Sequence, residues 1–130
     1  MVVGGQQYHV SLVERDVATT VDTEWSTGGG ATIVQPFHDR VIDLFVVAGA
    51  DTLFDGELDK YDLAVVSGAD IVEGATLCCS SFRRIDAERS AVRFYVGLYV
   101  PDTDVGDSFD LYVSRSGITI EVIPLANDDS

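Results

Sequence analysis

Apolar and polar residues alternate with a period of two along much of the chain. Because successive side chains of a β-strand point to opposite faces, this period predicts strands with one apolar face. In 91–99, for example, Val92, Phe94 and Val96 share one face and Arg93 lies on the other. The alternating segments are 8–13, 60–67, 91–99, 108–114 and 117–123.

Three further segments are rich in β-branched residues and also predict strands. They are 31–36, 40–48 and 75–82. The segment 40–48 is apolar on both faces, so a strand there requires cover on both sides. That cover comes either from another element of the same chain or from a neighbouring subunit.

About eight strands at regular spacing predict an all-β fold, a single antiparallel β-sandwich that is jelly-roll-like and forms one domain over 1–130. At most one short helix is expected, at 84–91, where Asp86 would cap one or two turns; the alternative there is an irregular loop. The segment 114–117 predicts a hairpin loop. The expected long connections are 16–30, 49–59, 83–90 and 101–107.

The two ends of the chain stand apart from this pattern. Residues 1–30 either contribute a strand to the sandwich or form an arm or long loop that reaches a neighbour. The tail at 126–130 is expected to be solvated and flexible. No apolar run approaches the ~18 residues of a membrane span. The N-terminus lacks the basic and apolar regions of a signal peptide, so we expect a protein made in the cytoplasm.

The charge of the chain is strongly one-sided. Twenty-two acids face eight bases, which gives a net charge of −14; sixteen of the acids are Asp, and Lys60 is the only lysine. Such a charge repels itself in the compact state, but at ~1 M salt the screening length falls to about 3 Å. A surface rich in Asp and poor in Lys therefore indicates a protein of concentrated salt. Without a basic stripe, we expect no direct binding to nucleic acid.

Two acidic stretches are the candidates for a cation site, at 51–62 and 101–107. The first lacks the glycine and the terminal Glu that a helix–loop–helix calcium loop requires. Two acidic loops at one end of the sandwich could still share a cation, and the alternative is a plain solvated surface. We assign no metal and no cofactor. The candidate ligands are Asp55, Glu57, Asp59, Asp102, Asp104 and Asp107.

Groups that could carry out catalysis are sparse. The two histidines, His9 and His38, do not form a zinc-ligand pattern, and no G-x-S-x-G elbow is present. Cys78 and Cys79 are adjacent, so in a strand they would point to opposite faces and not bond easily to each other. We interpret both as small buried hydrophobic residues of a reduced compartment. The sequence thus predicts no catalytic residue and a protein that is not an enzyme.

Four residues are candidates for contacts with a partner. Arg83 and Arg84 belong to a group of four arginines within 83–93, which forms a local positive patch on an acidic protein. The patch either pairs with nearby carboxylates of the same chain or docks an acidic neighbour, for which the planar guanidinium is well suited. Trp25 is either a partner anchor or a lid over the sandwich. Phe45 lies in the strand that requires cover from outside.

The stretches 38–74 and 99–123 together resemble small β-sandwich virion proteins of haloarchaeal viruses. The shared pattern is an apolar strand, an acidic turn, a strand ending in "VSG", and later "VP" followed by "FDLYV" and a glycine. The resemblance covers roughly 31–124 and leaves the first 30 residues outside. It implies a capsid or turret-type capsid-decoration subunit in the virion, in contact with other copies of itself or with a larger shell protein. No site residue is carried over.

Three functions compete on these grounds. We expect the first, a non-enzymatic structural protein of a halophilic virus particle that assembles in many copies at high salt. The alternative is a cation-dependent module that binds carbohydrate or protein, with Trp25 stacking on a sugar. The third is an enzyme on a β-scaffold, which would have to use His9, His38 and scattered carboxylates.

Overall fold

The computed structural model of the protein describes residues 2–3, 5–26, 29–30, 32–67, 74–101 and 106–123, and side chains for these except at 3, 22–26, 32–35, 64 and 66–67. Within these residues the chain forms eight strands and one helix. In chain order they are β1 (Val2–Val3), β2 (Gln6–Ser26), β3 (Thr32–Ala48), β4 (Asp51–Leu58), α1 (Lys60–Ser67), β5 (Thr76–Asp86), β6 (Ala91–Tyr99), β7 (Gly106–Ser114) and β8 (Gly117–Val122).

The strands form two antiparallel sheets that pack on a shared core. Sheet 1 has the order β1-β2-β3-β4 and sheet 2 the order β5-β6-β7-β8. The predicted all-β sandwich with one short helix is confirmed. Each sheet is a meander in which consecutive strands pair, whereas a jelly roll is built from Greek keys. The connectivity is therefore a pair of meanders and not the expected jelly roll.

The core lies between the sheets and follows the alternation of β6 and β7. Every second residue of these two strands points inward, and β3 supplies the facing layer from sheet 1. The predicted strands 91–99, 108–114 and 117–123 and the hairpin loop between the last two are confirmed. The fully buried large side chains are Ile42, Leu44, Val46, Leu77, Val92, Phe94, Val96, Leu98, Phe109, Leu111 and Val113.

The second strand is much longer than predicted. Residues 16–26, expected in a long connection, continue β2 and pair with β3. A register shift between Asp16 and Thr20 separates the part beside the core from seven further pairs, from Thr20 with His38 to Ser26 with Thr32. We call this distal part, residues 20–26 and 32–38, the β-arm. Val21 in this part is 4% exposed, and the side chains at 22–26 and 32–35 lie outside the described residues.

The acidic stretch 49–59 was also wrongly predicted to be a connection. Gly49 and Ala50 form a tight turn, and β4 follows at once as an edge strand of sheet 1. Gly49 has a φ of +63°, in the left-handed region that favours glycine. Carboxylates on an edge strand oppose pairing with foreign strands, which gives the acids of β4 a structural role.

The segment 60–67, predicted to be a strand, forms α1 instead. Asp59 is its N-cap, because Oδ1 accepts hydrogen bonds from the backbone N–H groups of Tyr61 (3.0 Å) and Asp62 (3.2 Å). Asp62 Oδ2 in turn accepts the N–H of Asp59 at 2.8 Å. This reciprocal arrangement is a capping box. Tyr61 and Leu63, expected to share a face, are consequently exposed and buried, respectively.

The helical alternative at 84–91 is wrong as well. Residues 84–86 complete β5, and residues 87–90 turn tightly into β6. Asp86 stabilises this turn and not a helix, since Oδ1 accepts hydrogen bonds from the N–H groups of Glu88 (3.1 Å) and Arg89 (3.2 Å). No helix among the residues described is long and apolar enough to cross a membrane.

The chain's one lysine is a buried structural residue. Lys60 is 3% exposed, and its ammonium donates a hydrogen bond to the carbonyl oxygen of Ala75 at 3.1 Å. The same nitrogen lies 3.2 Å from Asp39 Oδ1 and forms an ion pair with it, without the geometry of a hydrogen bond. Lys60 thereby links the start of α1 to β3, just below the β-arm, and to the residue that precedes β5.

Replacement of the N-cap tests the origin of α1. We expect Asp59→Ala to lower the free energy of unfolding by about 1 kcal/mol, because two backbone N–H groups lose their acceptor. The matched control is Asp55→Ala, an exposed carboxylate on β4, which should change it by less than about 0.5 kcal/mol. Urea denaturation at constant high KCl measures both. Equal losses in the two variants would contradict the cap.

Removal of the buried ammonium tests the ion pair. Lys60→Met should cost about 3 kcal/mol of stability, because it leaves the carboxylate of Asp39 without its cation in a largely dry site. The double variant Lys60→Met/Asp39→Leu should recover much of that loss, since apolar residues often replace a buried pair at little cost. The same urea titration reports both, and a double variant as unstable as the single one would refute the pairing.

Candidate functional site

The candidate metal-ligating residues do not come together within the described part of the chain. It holds no group of three or more His, Cys, Asp or Glu side chains placed to bind a metal. His9 and His38 are both exposed and lie at separate places along the β2–β3 hairpin, opposite Val47 and Thr20. His38 Nδ1 is 3.0 Å from the carbonyl oxygen of Val17, a contact that fixes the ring within the hairpin.

The acids proposed as cation ligands are spread over separate elements. Asp55 and Glu57 lie on the solvent side of β4, where Glu57 pairs with Arg15. Asp59 caps α1, and Asp107 lies in β7 opposite Leu98. The first of the two predicted loops is therefore a strand and a helix cap. Asp102 and Asp104 lie outside the described residues.

The outer face of sheet 2 carries a network of arginine, tyrosine and serine side chains, which we call the Tyr–Arg face. Arg93 grips Asp110 with two parallel hydrogen bonds, from Nε and from one Nη, both 2.9 Å long. These bonds raise the pKa of the Arg93 guanidinium above its ordinary value. The members of the face are Arg83, Arg89, Arg93, Tyr95, Tyr99, Ser108, Asp110 and Tyr112.

The tyrosine hydroxyls of this face meet at one serine. Ser108 Oγ lies 2.8 Å from the hydroxyl of Tyr95 and 2.6 Å from that of Tyr99. Burial is the main cause that raises the pKa of Tyr95, so this phenol is neutral at ordinary pH. A neutral phenol can both donate and accept, which lets the three hydroxyls satisfy one another.

Two arginines lie over tyrosine rings on the same face. The guanidinium carbon of Arg89 is 3.9 Å from the ring centre of Tyr112, and that of Arg83 is 4.8 Å from the ring centre of Tyr95. Arg89 also pairs with Glu121 at 3.2 Å. Arg83 has no carboxylate partner among the residues described, so its cation is held by the ring alone.

Arg84 completes the predicted positive patch. It lies opposite Arg93 across the β5–β6 pair, and its side chain is 60% exposed, with Asp86 at 4.0 Å. Like charges facing each other across strands are unfavourable, but Asp110 neutralises Arg93. Arg93, Arg89 and Arg84 thus pair with carboxylates of the same chain, and docking of an acidic neighbour on Arg83 and Arg84 stays a prediction.

The outer face of sheet 1 is chemically different, and we call it the acidic face. Phe45, the predicted partner contact, is 40% exposed there, and Val13 is 53% exposed. Arg15 Nε donates to Asp43 Oδ2 at 2.7 Å and the same guanidinium contacts Glu57, and the bond to Asp43 is the main cause that raises the pKa of Arg15. The members of this face are Ser11, Val13, Arg15, Asp43, Phe45, Asp55 and Glu57.

Trp25 lies in β2 and not in the predicted loop. It pairs with Ile33 within the β-arm, near the far end of the β2–β3 ladder. Its side chain lies outside the described residues. The expectation that Trp25 contacts a partner stays a prediction.

The cysteines depart most clearly from the sequence prediction. Cys78 and Cys79 do not point to opposite faces, because their sulfur atoms are only 2.7 Å apart. Cys79 is exposed and has a φ of +62°, which ends the regular alternation at that residue. The local sequence does not predict the positive φ of Cys79, since glycine is the usual residue in that conformation.

Comparison with known sequences gives one match. The chain matches the family described as a domain of unknown function (DUF4738) over residues 1–120. A search of curated proteins finds no match. The matched range begins with β1 and reaches into β8, so it includes strands of both sheets. The protein belongs to the DUF4738 family.

Proposed function

We propose that this protein is a non-enzymatic structural subunit that assembles through copies of itself in concentrated salt. The β-arm is the observation that carries the proposal. Among the described residues, no third strand pairs with it, and β4 joins β3 only from Ile42 onward. A two-stranded ribbon is marginally stable in water, and its open edges invite pairing with other strands. A neighbouring subunit that covers the arm would stabilise the ribbon and pair its open edges.

The reach of the arm suits a contact between subunits. Its seven pairs span about 20 Å at roughly 3.4 Å per residue. That distance is comparable to the width of a small β-sandwich. The ion pair between Asp39 and Lys60 lies directly at the base of the arm, so the arm starts from a fixed point and not from a loose loop.

The charge distribution supports assembly in brine. Lys60, the single lysine, is buried, so the exterior displays carboxylates against a few arginines. At ~1 M salt and above, attraction and repulsion between surface charges are both strongly screened. Association must then rely on apolar contact, and Phe45 and Val13 supply exposed apolar area on the acidic face.

The resemblance to small virion proteins of haloarchaeal viruses gives this proposal its specific form. A capsid or capsid-decorating subunit is present in many copies and contacts itself or a larger shell protein. Closed shells and decorations are built from repeated identical contacts. The β-arm, the acidic face and the Tyr–Arg face give one chain three distinct surfaces for such contacts.

The binding-module alternative has one observation in its favour. A cleft of about 550 Å³ opens between the sheets, with Tyr8 and Ile85 on its floor and Arg89 and Arg115 at its rim. Both guanidinium groups are already paired, Arg89 with Glu121 at 3.2 Å and Arg115 with Asp51 at 3.1 Å. Because its charged groups are satisfied within the chain, the cleft supports ligand binding less well than the arm supports assembly.

Sedimentation in ~2–3 M KCl, where screening is nearly complete, tests assembly. We expect the protein to form oligomers whose size grows with concentration. A variant in which residues 20–38 are replaced by a short turn should stay folded and monomeric, with a lower melting temperature because the buried Val21 is lost. A wild-type protein that remains monomeric at high concentration would overturn self-assembly.

A point substitution tests assembly while leaving the β-arm intact. Phe45→Ser removes an apolar side chain that is 40% exposed, and Val122→Ser removes one that is 39% exposed on β8. If assembly uses the acidic face, only Phe45→Ser should weaken association, by about tenfold for the loss of roughly 1.4 kcal/mol of apolar contact. Equal effects of the two substitutions would show that the acidic face has no special role.

Thermal unfolding tests the salt requirement. The melting temperature should rise as KCl increases from ~0.1 M to ~3 M, because screening removes the self-repulsion of a chain with a charge of −14. Millimolar calcium added at saturating KCl should raise it no further. A flat response to KCl would contradict the halophilic assignment, and a large calcium-specific increase would favour the binding module.

A further inference from the structure

The two adjacent cysteines lie in a bulge of the edge strand β5. Cys78 pairs with Gly97 and Ser81 with Tyr95, so two residues of β5 face a single residue of β6 between these pairs. This two-against-one arrangement is a β-bulge. It turns Cys79 into the left-handed region, with φ of +62°, and brings its sulfur to 2.7 Å from that of Cys78.

Neighbouring groups hold the bulge on both sides. On the β6 side, a Cβ at Gly97 would lie 3.0 Å from the carbonyl oxygen of Cys78, a tight contact that a larger residue would relieve only by shifting β5. On the open side, the backbone N–H of Ser80 donates to Glu14 Oε2 of β2 at 2.9 Å. The proximity of the sulfurs is therefore built into the fold.

We propose that Cys78 and Cys79 form a vicinal dithiol site that low-molecular-weight disulfides oxidise reversibly to a disulfide between the two residues. A disulfide bond is about 2.05 Å long, so closure requires a sulfur displacement of less than about 1 Å. This site is independent of the assembly proposal. It requires only the local geometry of β5 and an oxidant that can reach Cys79.

The reaction proceeds in two thiol–disulfide exchanges. The exposed Cys79, as a thiolate, attacks one sulfur of the reagent RSSR and expels RS⁻, which leaves a mixed disulfide on Cys79. Cys78 then loses its proton and attacks the sulfur of Cys79, which releases the second RS⁻. In sum, two S–H bonds are lost and one S–S bond forms. The two electrons and two protons leave in two molecules of RSH.

The second exchange is the slow one. Burial, then the adjacent Cys79 sulfur and the charge of Glu14, raise the pKa of the Cys78 thiol to about 12, while Arg40 acts in the opposite direction. Arg40 lies 3.6 Å from Glu14, so the two charges largely offset each other at the bulge. Cys78 is thus a neutral thiol at ordinary pH, and ring closure should accelerate steadily as the pH rises toward that value.

Ring geometry makes the bond easy to reverse. Neighbouring Cα atoms across a trans peptide are about 3.8 Å apart, whereas the Cα atoms of a disulfide are usually about 4.4–6.8 Å apart. The closed ring is therefore strained, and strained disulfides are the labile ones. The disulfide should therefore form and break reversibly and not be a permanent cross-link.

The test is to incubate the folded protein with oxidised glutathione in high KCl and follow its intact mass. We expect a loss of about 2 Da, from the two hydrogens removed, without covalent dimers, and recovery of the original mass with a mild excess of thiol. Closure should be more complete in the native protein than in urea, because only the fold holds the sulfurs together.

Two serine variants separate the steps. Cys78→Ser should stop at a stable glutathione adduct on Cys79, and Cys79→Ser should react far more slowly, since Cys78 is half-buried. The proposal is overturned if the wild-type protein stops at the glutathione adduct, if it forms inter-chain dimers, or if it closes no better when folded than in urea.

Discussion

The apolar layer between the two sheets holds this protein together against its own charge. With a net charge of −14, long-range electrostatics favours expansion in dilute solution. The inward residues of β3, β6 and β7 oppose this, each contributing about 1.5–3 kcal/mol when fully buried. Concentrated salt screens the electrostatic repulsion and leaves the stabilisation from apolar burial in place. The β-arm, the two outer faces and the cysteine bulge all belong to strands that this layer holds together.

Alternation predicted the strands that have one buried face. The segment 91–99 matches β6 residue for residue, because Phe94 and its neighbours must point inward and Arg93 outward. The prediction failed where another interaction competes with alternation. In α1 the capping box of Asp59 and Asp62 outweighs an apparent strand pattern. In the β-arm the pairing of β2 with β3 resumes after a register shift between Asp16 and Thr20, which the pattern of one strand does not show.

The surfaces were harder to predict than the core. Alternation correctly placed Arg93 and Tyr95 on an outward face, but their partners Asp110 and Ser108 lie on β7. Which residues meet across strands depends on register, and register cannot be read from one strand alone. The cysteine bulge was unpredictable for a related reason, since it is a shift in the register between β5 and β6.

The burial of Lys60 also determines how the native protein can be modified. It is the chain's one ε-amine, and it is enclosed by α1, β3 and the residue before β5. Acylating enzymes, amine-directed cross-linkers and lysine-reactive dyes therefore find no accessible lysine while the fold is intact. Conjugation of the native protein has to use groups other than the lysine ε-amine, such as carboxyl groups or the thiol of Cys79. Any label that does appear on Lys60 reports that the segment around α1 has opened.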